Sequence, residues 1–134
     1  MTITEKALAE WHELATAPDP SRLGRLVHED AVFHSPVVHR PQEGRDLVVT
    51  YLSAAASTLG ENDFRYEREL VDGQNVMLEF VCTIDGIHVN GIDLIRFDES
   101  GLIVDFKVMI RPLQAVNKVW ESMAAQLEKA AGTA

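Results

Sequence analysis

Apolar positions recur at helical spacing from the start of the chain. Ile3, Ala7, Leu8, Trp11, Leu14 and Ala15 share one face, which predicts a helix over residues 3–16. Thr2 or Thr4 can cap it, and Glu5 suits the positive end of its dipole. Pro18-Asp19-Pro20 ends it, and Ser21 is expected to cap a short helix carrying Leu23, Leu26 and Val27. Ala31 to Pro36 reads as a short strand whose proline marks an edge or an end. After a loop from His39 to Gly44, the positions Leu47, Val48, Tyr51, Leu52, Ala55 and Leu59 predict a third helix over 45–59, stopped by Gly60.

The period then changes to two. Strands are expected at 64–71, 76–84, 87–97 and 102–111. Asp72-Gly73 and Asp85-Gly86 are hairpin signals and Ser100-Gly101 a weaker one, so the four strands form an antiparallel meander. On the last strand Leu102, Val104, Phe106, Val108 and Ile110 are expected on one face, with Ile103, Asp105, Lys107, Met109 and Arg111 on the other. Leu113, Val116, Trp120, Met123 and Leu127 predict a closing helix over 112–129 with an apolar seam. Helices segregated from an antiparallel sheet make an α+β domain, and a curved sheet on amphipathic helices leaves a pocket between the layers.

The 134 residues suit one domain with one core. A formal net charge of −9 argues against nucleic acid as a partner and disfavours an anionic membrane surface. Cys82 is the single cysteine, so no intramolecular disulfide forms, and its apolar strand predicts an inert buried thiol. The N-terminus lacks the layout of a signal peptide and no apolar run suits a membrane span, so a cytoplasmic protein is expected.

Candidate chemistry centres on Gly91-Ile92-Asp93-Leu94-Ile95-Arg96-Phe97, an apolar strand with one carboxylate in it. Burying that carboxylate as an unpaired anion costs on the order of several kcal/mol. Asp93 therefore either sits on a wet or paired face or lines a pocket with a raised pKa. Lys107 and Arg111, if near it, would favour the anion. His34 has the side chain best suited to a general base, although alternation opposes His34 and Ser35 both facing inward. Glu79 interrupts an apolar strand and is read as a solvent-facing residue, a partner for Arg96 or Lys107, or a second pocket acid. The five histidines show no ligand spacing and there is no glycine-rich phosphate loop, so neither a metal nor a cofactor is expected.

The element order, with Leu26 to Pro36, Pro41 to Gly44, and Gly91 to Phe97 followed by Gly101-Leu102-Ile103-Val104, resembles the nuclear transport factor 2-like superfamily. The likeness is greatest to its SnoaL-like polyketide-cyclase and ketosteroid-isomerase branches. It implies a cone-shaped fold with a central pocket. In the isomerases the motif Ile-Asp-x-x-Arg-Phe, here Ile92 to Phe97, carries a protonated aspartic acid that donates to the substrate oxyanion. That role falls on Asp93. The family's general-base aspartate falls on Ser35 and its oxyanion tyrosine on Trp11. A serine hydroxyl is no base at neutral pH by itself, and an indole offers one donor and no acid. Steroid isomerisation by that mechanism is therefore not expected.

The resemblance implies Trp11 and Tyr51 as pocket walls; Met109 is read as a further wall residue and Ser35 as a ligand contact, and a homodimer is expected, since in the superfamily the outer sheet face often pairs. The expected function is a cofactor-free pocket for a small apolar carbonyl compound. Its chemistry would be proton transfer in isomerisation, aldol-type cyclisation or dehydration. Asp93 would be acid or oxyanion donor, and His34 or Glu79 the base. The competing expectation is a non-catalytic module of the same fold.

Overall fold

The computed structural model describes residues 1–59 and 63–132. The first helix, α1 (Ile3–Thr16), begins where the Thr2 hydroxyl accepts the Glu5 N–H at 3.0 Å. Thr2, not Thr4, is thus its cap. The second, α2 (Pro20–Leu26), is capped by Asp19, whose Oδ1 accepts the N–H groups of Ser21 and Arg22. Ser21, expected as the cap, lies inside the helix. Proline at the first helical position needs no amide partner, and the helix starts two residues earlier than expected. Gly60, expected to end the third helix, α3 (Arg45–Leu59), lies outside the described residues.

Six strands form one curved, open sheet: β1 (Val27–His34), β2 (Gln42–Glu43), β3 (Arg65–Asp72), β4 (Asn75–Ile84), β5 (Ile87–Phe97) and β6 (Ile103–Arg111). Their order is β2-β1-β6-β5-β4-β3, and the expected meander runs from β3 to β6. The sheet is mixed, however, because β1 runs parallel to β6. The expectation of a purely antiparallel sheet fails there: the crossover from β1 to β6 spans most of the chain, and no local turn signal reports it. The strand β2 is too short to show a period.

The core lies between the inner face of this sheet and the helices. Val76, Leu78, Phe80 and Cys82 of β4 are buried, as their alternation predicts. On β6 the expected faces are corrected. The register slips by one residue next to Ile103, so Ile103 and Phe106 both turn inward. One extra residue in a strand exchanges its faces beyond that point. The closing helix, α4 (Leu113–Gly132), packs through Ala115, Val119 and Met123. Leu113 and Trp120 of the expected seam are exposed, so the buried face is rotated from that reading. No helix among the described residues is long and apolar enough to cross a membrane.

Candidate active site

On β5, Val89, Gly91, Asp93, Ile95 and Phe97 alternate inward, so strand geometry alone delivers Asp93 to the core face. Its register partners are Leu78 on β4 and Val108 on β6, both buried and apolar. Gly91 keeps the floor beside it low. A Cβ there would stand 2.5 Å from the Phe80 ring and 2.6 Å from the Met109 carbonyl oxygen. Asp93 itself is 6% exposed.

Tyr66 satisfies the carboxylate. Its hydroxyl donates to Asp93 Oδ2 at 2.7 Å and accepts the Trp11 indole N–H at 3.1 Å. A bulge positions it. The β3–β4 register slips between Tyr66 and Arg68, leaving Glu67 unpaired. Tyr66 is thereby paired with the inward Phe80, and beyond the slip Glu69, not Arg68, stands beside the inward Leu78. Phe64 and Phe80 stack at 5.2 Å beneath it, and the His12 ring meets the Tyr66 edge at 5.5 Å.

Burial pushes the Asp93 pKa up to about 7, with the Tyr66 hydrogen bond pulling partly back. The Tyr66 hydroxyl is held well above its ordinary value by burial and then by the Asp93 charge. The Cys82 thiol is pushed up to about 11, chiefly by burial, and is inert at neutral pH.

A cavity of about 330 Å³ opens over this cluster. Trp11, Phe33, Phe64, Tyr66 and Phe106 surround Asp93, and Val119 and Met123 of α4 reach it from the side. Thr16, Asp19, Ser53 and Ser57 are among its polar lining. Among the described residues no lysine, arginine or histidine lines it. Nor do the described residues bring three or more histidine, cysteine, aspartate or glutamate side chains together to hold a metal.

The candidates drawn from the sequence separate into two groups. Asp93, Trp11 and Ser35 line the cavity; His34, Glu79, Tyr51 and Met109 do not. His34 points to the outer sheet face, its Nε2 2.8 Å from Asp105 Oδ1. The parity of β1 decides this, because Phe33 takes the inward place. Glu79 also faces outward, accepting from Asn90 at 3.1 Å and lying 3.5 Å from Arg68 Nε. Neither Arg96 nor Lys107 is its partner. Tyr51 packs on Phe33 behind the wall, with ring centres 5.5 Å apart. Met109 is 49% exposed on the outer face, because its parity on β6 is opposite to that of Val108. Lys107 and Arg111 share that outer face, away from Asp93. Ser35 Oγ accepts the N–H groups of Val37 and Val38 at 3.2 and 3.3 Å.

Tyr66 was not among the candidates. The available signal was faint: Phe64 and Tyr66 are aromatic two residues apart in a stretch otherwise dominated by charge. The fold brings Tyr66 to Asp93 across an intervening strand.

Residues 8–106 match the family described as the SnoaL-like domain. The chain is 40% identical to a steroid delta-isomerase from Pseudomonas aeruginosa, covering 98% of this chain and 96% of that one, with a TM-score of 0.92. An uncharacterised bacterial protein with a cystatin-like fold from Silicibacter pomeroyi is 32% identical over 90% of this chain and 84% of that one, with a TM-score of 0.83. A Catenulispora acidiphila protein with a ketosteroid isomerase-like fold, solved with trimethylamine, shares the fold at 20% identity and a TM-score of 0.63, over 84% of this chain and 90% of its own. No curated protein matches the chain.

Proposed function

The chain belongs to the SnoaL-like domain family, and from that footing we propose that its cavity binds a small, largely apolar carbonyl compound without a cofactor. One observation carries the reading: Asp93 is buried at the wall of an aromatic cavity, where burial pushes its pKa up to about 7. A group with that pKa is matched to proton transfer at neutral pH. It can donate to a carbonyl oxygen when protonated and take an acidic C–H proton when ionised. The likeness to a steroid delta-isomerase supports a ketone as the ligand class. Isomerisation, aldol-type cyclisation and dehydration all reduce to such a transfer. That no cationic side chain lines the cavity among the described residues disfavours carboxylates and phosphate esters as ligands.

Among the described residues that line the cavity, Asp93 is the one buried carboxyl group. His34 and Glu79, expected as bases, face away. The proposed proton transfer runs through Asp93. The test is an NMR titration of the carboxylates, with Asp93→Asn assigning the resonance, followed by a screen of enolisable ketones. The reading predicts a midpoint near neutrality and a bound ketone that perturbs the Asp93 signal. A midpoint in the ordinary carboxylate range, or unchanged binding and turnover in Asp93→Asn, refutes it.

A second reading is a non-catalytic binder. The observation favouring it is Ser35, which stands where the resembling isomerases place their base and whose oxygen is occupied by two backbone N–H groups. Saturable ketone binding with no solvent deuterium entering the ligand would select it.

The same reading includes a homodimer acting in the cytoplasm. Its contact surface is the outer sheet face, where Met77, Ile92 and Leu94 are half-buried and Met109 is exposed.

A further inference from the structure

Tyr66 has one polar hydrogen, and it is donated to Asp93 Oδ2. The other donor in the line, the Trp11 indole N–H, is spent on the Tyr66 oxygen. Asp93 has no other hydrogen-bond donor among the described residues, and its strand neighbours Leu78 and Val108 are apolar. A ketone oxygen entering the cavity needs a donor. The Tyr66 hydrogen can be redirected by rotation about the phenol C–O bond alone, while the ring and the Trp11 contact stay in place.

Resting on the proposed ketone site, we propose that Tyr66 is a donor shared between Asp93 and the ligand, so that ligand binding draws a proton from solvent onto Asp93. The balance is simple. The Tyr66 O–H···Oδ2 bond breaks and an O–H···O=C bond to the ligand forms. The Asp93 carboxylate, buried beside apolar neighbours and deprived of the Tyr66 donor, then favours its neutral form and takes up H⁺ from the buffer. The protonated carboxyl then carries a hydrogen of its own. No oxidant or other co-reactant is needed.

Among the described residues, other ionisable groups near the pair are few. On α1, His12 meets the edge of the Tyr66 ring and is itself 2.7 Å from Glu69 of β3. On β4, Cys82 is buried on the inner face and stays a thiol. Asp19 lines the cavity at the head of α2. The remaining cavity contacts from β6 and α4, Phe106, Val108, Ile110, Val119 and Met123, are apolar. The Ser35 hydroxyl keeps a free hydrogen, and a ligand held by Ser35 alone would leave Asp93 unchanged.

The test is calorimetric titration at pH 7.5 in phosphate and in Tris, whose ionisation heats differ. The probes are 1-tetralone and tetralin, the same skeleton without the oxygen. With a resting midpoint of about 7, Asp93 is roughly three-quarters ionised at that pH, so 1-tetralone should take up about 0.75 proton per site. Tetralin should take up none. Asp93→Asn should bind 1-tetralone with no uptake. Tyr66→Phe should also show almost none, because its Asp93 is already protonated without the donor. In the intact protein the affinity for 1-tetralone should fall towards tenfold per pH unit above pH 8. Binding of 1-tetralone with no uptake, equal uptake with tetralin, or undiminished uptake in Tyr66→Phe overturns the shared-donor role and leaves the ketone site standing. Failure of 1-tetralone to bind at all overturns both.

Discussion

Tyr66 on β3 donates to Asp93 on β5 at 2.7 Å, over the intervening strand β4. Two strands that share no backbone ladder are thus joined by a buried side-chain bond. The bond decides what Asp93 is. Without it the carboxyl would be neutral over a wider pH range; with an added cation it would be a plain anion. As built, both protonation states are accessible near neutral pH.

The first consequence is for stability. The Asp93 pKa is about 7 in the fold and near the ordinary 3.8 in the unfolded chain. Between those values the native state holds a proton that the unfolded state has lost. Stability contributed by protonated Asp93 is therefore full below about pH 4 and is lost as pH rises to about 7, by on the order of 4 kcal/mol. Asp93→Asn can still accept from Tyr66 and does not ionise. Urea denaturation at pH 5 and pH 8 should show the variant gaining on the parent as pH rises. An equal pH dependence in the two proteins would contradict the raised pKa.

Gly91→Ala should weaken the sheet. The new methyl would lie 2.5 Å from Phe80 and 2.6 Å from a backbone oxygen of β6. The ring can shift, but the Met109 carbonyl belongs to the β5–β6 pairing and cannot move without opening it. A loss of about 3 kcal/mol is expected, the upper end of ordinary overpacking, and the smaller unfolded-state gain from replacing glycine does not offset it. Chemical denaturation checks it, and a change below about 0.5 kcal/mol would show that the strands relax.

His34→Gln and Glu79→Gln should leave ketone affinity within about twofold, because both side chains lie on the outer face, paired with Asp105 and with Asn90 and Arg68. Trp11→Phe, which removes the N–H on Tyr66, should shift the Asp93 titration instead. Tighter coupling of binding to His34 than to Trp11 would place the site elsewhere.

Met109→Lys adds a charge in the middle of the outer sheet face, where Met109 is 49% exposed beside its register partner Ile92. Sedimentation should show a dimer for the parent and a monomer for the variant, with the cavity unaffected. A monomeric parent at tens of micromolar would remove the dimer from the proposal.

Much of the architecture was legible in the residues. Asp85-Gly86 wrote its hairpin directly: both residues have positive φ, +49° and +81°, as a tight two-residue turn requires. The inward set of β4 followed from period alone. These are local properties, fixed by backbone geometry within a few residues.

Tertiary structure decided the rest, because it depends on contacts between distant segments. The parallel pairing of β1 with β6 rests on residues far apart in the chain and made the sheet mixed. Two one-residue register slips, at Glu67 and next to Ile103, chose which side chains face the core, and a period of two cannot report a slip. The partner of Asp93 was also beyond the sequence pattern. Tyr66 and Asp93 are 27 positions apart and meet across a third strand. The sequence determined that a carboxylate would be set among apolar residues. Only the fold determined that a tyrosine would hold it, that no cation of the described cavity lining would reach it, and that burial would push its pKa up to about 7.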